Sequence, residues 1–69
     1  MNIFYDTGTK IKVTFTDDQS LIGTVDHWTS RNDSEDDVQE LTIKPTDGEL
    51  KGQLVNFNEN EVKKIEIIE

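Results

Sequence analysis

Few residues of this chain have chemistry to offer. His27 is the only histidine and stands between Asp26 and Trp28. A carboxylate beside an imidazole is the start of a general-base relay. Successive residues of a strand point to opposite faces, however, so a strand through 26 and 27 would keep the two apart. No serine lies in the strand-to-helix elbow that exposes a hydroxyl nucleophile. The absence of cysteine removes thiol nucleophiles, thiolate metal sites and disulfides. Asp17-Asp18 reads as a turn. The run Asp33-Ser34-Glu35-Asp36-Asp37 offers the oxygen ligands that calcium takes, but it lacks the turn glycine and the alternating spacing of a calcium loop. No catalytic residue, metal site or cofactor is expected.

What remains is recognition. Asp33, Glu35, Asp36 and Asp37 are expected to be a solvated loop, and their charge suits a docking epitope that steers a basic protein. Trp28 has two readings: the largest side chain of a small core, or an exposed hot spot beside Phe or Tyr. The pattern favours core, and Trp28 joins the four acids as a candidate partner contact.

Charge narrows the partner. The 69 residues carry 15 acids against 7 Lys and Arg, for a net charge of −8 and a sequence pI near 4.4. Nucleic-acid binding draws most of its affinity from cations that displace counterions from phosphates. No basic cluster here exceeds Lys63-Lys64. Binding to DNA, RNA or an anionic membrane is disfavoured on that ground, and a protein partner is expected. The opening Met1-Asn2-Ile3-Phe4-Tyr5-Asp6 has no basic n-region and no long apolar run, so no signal peptide is read and a cytoplasmic location is expected.

The elements that must position these residues are strands. The chain has no alanine and only four leucines, while Val, Ile and Thr make up 20 of its 69 residues. Branched side chains fit a pleated surface better than a helix. A single domain is expected from the length, with a core too small for more than modest stability.

Alternation places the first strand at about Lys10–Thr16, with Ile11, Val13 and Phe15 on one face. A second, long strand covers roughly Ser20–Thr29, with Leu21, Val25 and Trp28 toward the core. Trp28 is out of phase by one residue, which requires a bulge or bend, and Gly23 allows sharp coiling. Residues 30–37 hold no apolar side chain and read as a flexible exposed loop. Strand three is expected at about Val38–Lys44, with Leu41 and Ile43 inward and Pro45 as its stop. Asp47-Gly48 reads as a hairpin-type turn. Strand four follows at about Gly52–Asn58, with Val55 and Phe57 on one face. Asn58-Glu59-Asn60-Glu61 has the form of a capped 3₁₀ turn, and a last strand, Val62–Ile68, points Ile65 and Ile67 inward. Phe4 and Tyr5 are placed over one open end.

This arrangement resembles the Sm-like fold and, more broadly, the SH3-like small barrels. Val13-Thr14-Phe15-Thr16-Asp17-Asp18 followed by Gly23-Thr24-Val25 is similar to the first Sm motif, with Asp18 in the place of the turn glycine. Phe57 through Ile65 is similar to the second. The resemblance implies an all-β, five-stranded, strongly bent antiparallel barrel with one short 3₁₀ turn before the last strand. It also implies homo-oligomers built by strand four meeting strand five of the next copy. The family's RNA contacts do not carry over. Its Arg-Gly falls on Asn58 and Glu59, and its first-motif Asp and Asn fall near Thr29 and Asp33.

The functional expectation is a non-catalytic protein-interaction module. An acidic nucleic-acid mimic that occupies the groove of a basic protein is the alternative, followed by an RNA-binding Sm relative.

Overall fold

A computed structural model describes residues 2–68 as an all-β chain with no α-helix among them. The strands are β1 (Lys10–Phe15), β2 (Ser20–Thr29), β3 (Glu40–Pro45), β4 (Val55–Asn58) and β5 (Val62–Ile67). They form one antiparallel sheet in the order β4-β3-β2-β1-β5. Two 3₁₀ turns, Arg31–Asp33 and Glu59–Glu61, interrupt the connections.

The sheet rolls up without closing. Its edge strands are β4 and β5, and five flat strands would hold those edges about 19 Å apart. Yet only the turn Glu59–Glu61 joins β4 to β5, and a 3₁₀ turn of that length spans about 6 Å. The rings of Phe15 on β1 and Phe57 on β4 meet at 5.2 Å, edge to face, across two intervening strands. Both facts require a strongly curved sheet. No pairing joins β4 to β5 among the described residues, so a seam stays open and "barrel" holds only loosely.

Two devices produce the curvature. At Gly23 a β-carbon would stand 2.7 Å from the Lys44 carbonyl oxygen and 3.0 Å from the Pro45 Cα; only glycine lets β3 approach that closely. Beyond it, the register passes from Val25↔Ile43 to His27↔Thr42, leaving Asp26 as the extra residue of a bulge. The out-of-phase Trp28 is thereby accounted for.

Ile11, Val13, Val25, Leu41, Ile43 and Phe57 are buried as their alternation requires, with Phe15, Val55 and Ile65 packed at the margin. Ile67 corrects the expectation: it faces Ile11 across the sheet but is 60% exposed, because β5 is an edge with nothing beyond it. Ile3 and Val62 complete the core. Val62 points inward because the β1–β5 register shifts between Thr14 and Phe15. The end-covering role expected of Phe4 and Tyr5 falls mainly to Ile3, fully buried, with Tyr5 packed against the core and Phe4 left 49% exposed.

Two strand starts and one loop differ from the sequence reading. β3 starts at Glu40 and β4 at Val55, so residues 46–54 form a long connection rather than a hairpin turn at Asp47-Gly48. Gly48 and Gly52 adopt positive φ there, and Gly52 N–H returns to the Pro45 carbonyl at 3.0 Å. Residues 30–37, expected to be flexible, contain the first 3₁₀ turn and the buried Ser34. The turn before β5 forms as expected: Asn58 and Glu61 cap it reciprocally.

Candidate functional site

The end of β2 carries Trp28 into a cluster that joins three separate stretches of chain. Its indole N–H donates to Gln39 Oε1 at 3.1 Å, and the Ile3 backbone N–H donates to the same oxygen at 3.3 Å. The Phe4 ring meets the indole edge to face, centroids 4.9 Å apart. Trp28 is thus half-buried: one side packs on the core and the other, with Phe4, forms an aromatic shelf. Beside it lies an open depression of about 540 Å³, walled by Asn2, Trp28, Ser30, Arg31, Asn32 and Gln39.

The acidic loop continues directly from that wall and is braced from below. Gln39 is buried, and its backbone N–H donates to Glu59 Oε2 at 2.6 Å while its carbonyl accepts from Glu59 N–H at 2.9 Å. Arg31 grips the same carboxylate in a two-pronged pair, Nε to Oε2 at 3.1 Å and an Nη to Oε1 at 2.6 Å. These bonds, the guanidinium's first and the Gln39 amide's second, hold the Glu59 carboxyl down to about 2 from its ordinary 4.5. Arg31 is correspondingly pushed up. Ser34 Oγ donates to Glu40 Oε2 at 2.8 Å and accepts from Asp36 N–H at 3.3 Å.

The five candidate contacts fall into two groups. Asp33, Glu35, Asp36 and Asp37 are all exposed on the one loop, and Asp37 holds a left-handed φ of 55°. Trp28 stands at the root of that loop. The only cation between Ser30 and Asp37 is Arg31, and it is engaged with Glu59; the loop therefore presents uncompensated negative charge. Asp17, Asp18 and Glu61 are exposed at the turns before β2 and β5. The turn Glu59–Glu61 reaches the β1–β2 turn through Thr16 N–H on the Glu61 carbonyl at 3.0 Å, and Lys63 pairs with Asp18 at 2.6 Å. Phe4 was not legible as part of this site. Its lack of any strand pattern was the available signal.

A second constellation overturns one expectation. The bulge turns Asp26 and His27 toward each other, with His27 Nδ1 2.7 Å from Asp26 Oδ2. His27 Nε2 lies 3.4 Å from Thr42 Oγ1, which accepts from the Asn56 amide at 2.9 Å. Carboxylate, imidazole and hydroxyl thus stand in the order of a hydrolase triad. Thr42 is only 5% exposed. The row ties β2, β3 and β4 together through polar side chains. The RNA-contact positions of the Sm resemblance also have structural work: Asn58 caps the turn and Glu59 braces the loop.

Among the described residues no cluster of His, Asp and Glu is arranged to hold a metal ion, and no helix is long and apolar enough to cross a membrane. A scan of protein-family models and searches of curated proteins and of solved structures found no match to this chain.

Proposed function

We propose that this chain is a non-catalytic, cytoplasmic protein-interaction module on an SH3-like or Sm-like frame. It binds a basic protein segment across the Phe4–Trp28 shelf and the loop holding Asp33, Glu35, Asp36 and Asp37. One observation carries the reading. An aromatic ring 49% exposed to water is held edge-on against Trp28, at the root of a loop whose sole cation is already paired. Exposed aromatic area supplies contact energy at small entropic cost. The adjacent carboxylates supply steering and select for cations.

Affinity capture with the full chain tests it. A set of basic proteins should be retained by the natural chain at 50 mM salt. The same set should be lost with Trp28→Ala, and lost again when the four loop acids become Asn or Gln. Retention by the neutralised loop overturns the proposal.

The net charge of −8 and the exposed acids of the 30–37 loop favour a second reading, a nucleic-acid mimic. A duplex DNA competitor should then displace the captured protein stoichiometrically. A mere basic-peptide binder would leave the captured protein's DNA site free.

A further inference from the structure

The other end of β2 carries a surface of a different kind. β3 stops at Pro45, opposite Gly23, so residues 20–22 of β2 have a paired neighbour only on the β1 side. The connection 46–54 folds over the vacant side, fixed by Thr46 N–H on the Ile22 carbonyl at 3.0 Å. Between them lies a groove of about 380 Å³ floored by Leu21, Ile22 and Leu50, with Asp47 and Glu49 on its rim.

Three features mark this groove as unfinished surface. Leu21 belongs to the margin of the core, but Ile22, its neighbour in an alternating strand, points outward and is still only half-buried, beside Leu50. Leu50 and Leu54 are 39% and 58% exposed, in a stretch whose other residues are polar, charged or glycine. Clustered apolar area of this kind on a small chain marks an interaction site. Asp47 and Glu49 have no ion-pair partner among the described residues. The apolar floor is therefore edged by free negative charge.

We propose that this groove is a second docking surface, for an extended, basic segment of another protein with apolar residues at alternate positions. An alternating occupant lays one apolar face on Ile22 and Leu50, while the residues between carry cations to Asp47 and Glu49. A second copy of this chain is disfavoured as occupant, because each copy carries a net charge of −8. The groove and the Phe4–Trp28 shelf stand at opposite ends of a ten-residue strand, so the two surfaces can be filled independently.

The test is an NMR titration of the full ¹⁵N-labelled chain with two synthetic peptides, one alternating Lys and Leu, the other alternating Glu and Leu. The basic peptide should shift the amides of Leu21, Ile22 and Leu50, and the acidic one should not. Leu50→Ser should raise Kd by about tenfold. Asp47→Asn with Glu49→Gln should raise it several-fold and flatten its salt dependence. These side chains lie on the surface, so the spectra should stay dispersed, and Trp28→Ala should leave the groove shifts intact. Shifts confined to Trp28 and residues 30–37 overturn the proposal and leave the first site standing. Equal binding of both peptides, or indifference to Leu50→Ser, also overturns it.

Discussion

The two connections that flank β3 are fastened differently. Residues 30–39 add side-chain bonds to their backbone turns: Arg31 and Gln39 to Glu59, Ser34 to Glu40, Trp28 to Gln39. Residues 46–54 are held by backbone, through Gly48 and Gly52 at positive φ and bonds such as Lys51 N–H to the Gly48 carbonyl at 3.3 Å. The more polar and more acidic of the two is also the better braced. The bracing comes from Arg31 and Glu59, which pair with each other while the four loop acids stay exposed.

Substitutions can break this contrast, beginning with the largest effect. Gln39→Ala strands two donors in a buried setting, the Trp28 indole N–H and the Ile3 amide. It should destabilise the chain by about 2–3 kcal/mol in urea unfolding. A change under about 0.5 kcal/mol would show that the first connection is not braced as described.

Glu59→Gln comes next, and its signature is a pH slope. The carboxyl's pKa is depressed to about 2 in the folded chain from an ordinary 4.5. Its contribution to stability is therefore complete above about pH 4.5 and is lost as pH falls toward 2. The natural chain should lose more stability than the variant across that window, measured by thermal melts at fixed ionic strength. Parallel curves would remove the ion pair from the account.

In the second connection, Gly48→Ala meets no atom within 4 Å but must hold a φ of +77°. The cost should be about 1 kcal/mol, set by backbone conformation alone. Lys51→Ala, exposed and without a side-chain bond among the described residues, should change stability by less than about 0.5 kcal/mol. A larger loss there than at Gln39 would invert the comparison.

How far the sequence could be read depended on range. Alternation in Lys10–Phe15 and Leu41–Ile43 was local and survived folding, as did the reciprocal Asn58–Glu61 cap. The bulge was legible from the phase of Trp28, but its consequence was not. It set His27 against Asp26, which an ideal strand would have separated. Asp18, set in the turn-glycine place by the resemblance, adopts a left-handed φ of 69°. Long-range pairs were invisible: nothing local ties Arg31 to Glu59, 28 residues on. Asp47-Gly48 misled because a hairpin signal counts only when both flanking strands reach it, and β4 starts seven residues after Gly48. The exposure of Phe4 and Leu50 escaped because exposure of a single apolar side chain is a property of the fold, not of its neighbours in sequence.

Amide hydrogen exchange on the full chain reads the loop most directly. If residues 30–39 form a fixed platform that presents the acids beside Trp28, the Gln39 and Glu59 amides should exchange as slowly as those of β3. Exchange of both at the rate of an unstructured peptide would mean that the platform does not exist, and that the acids hang from the barrel as a free tether.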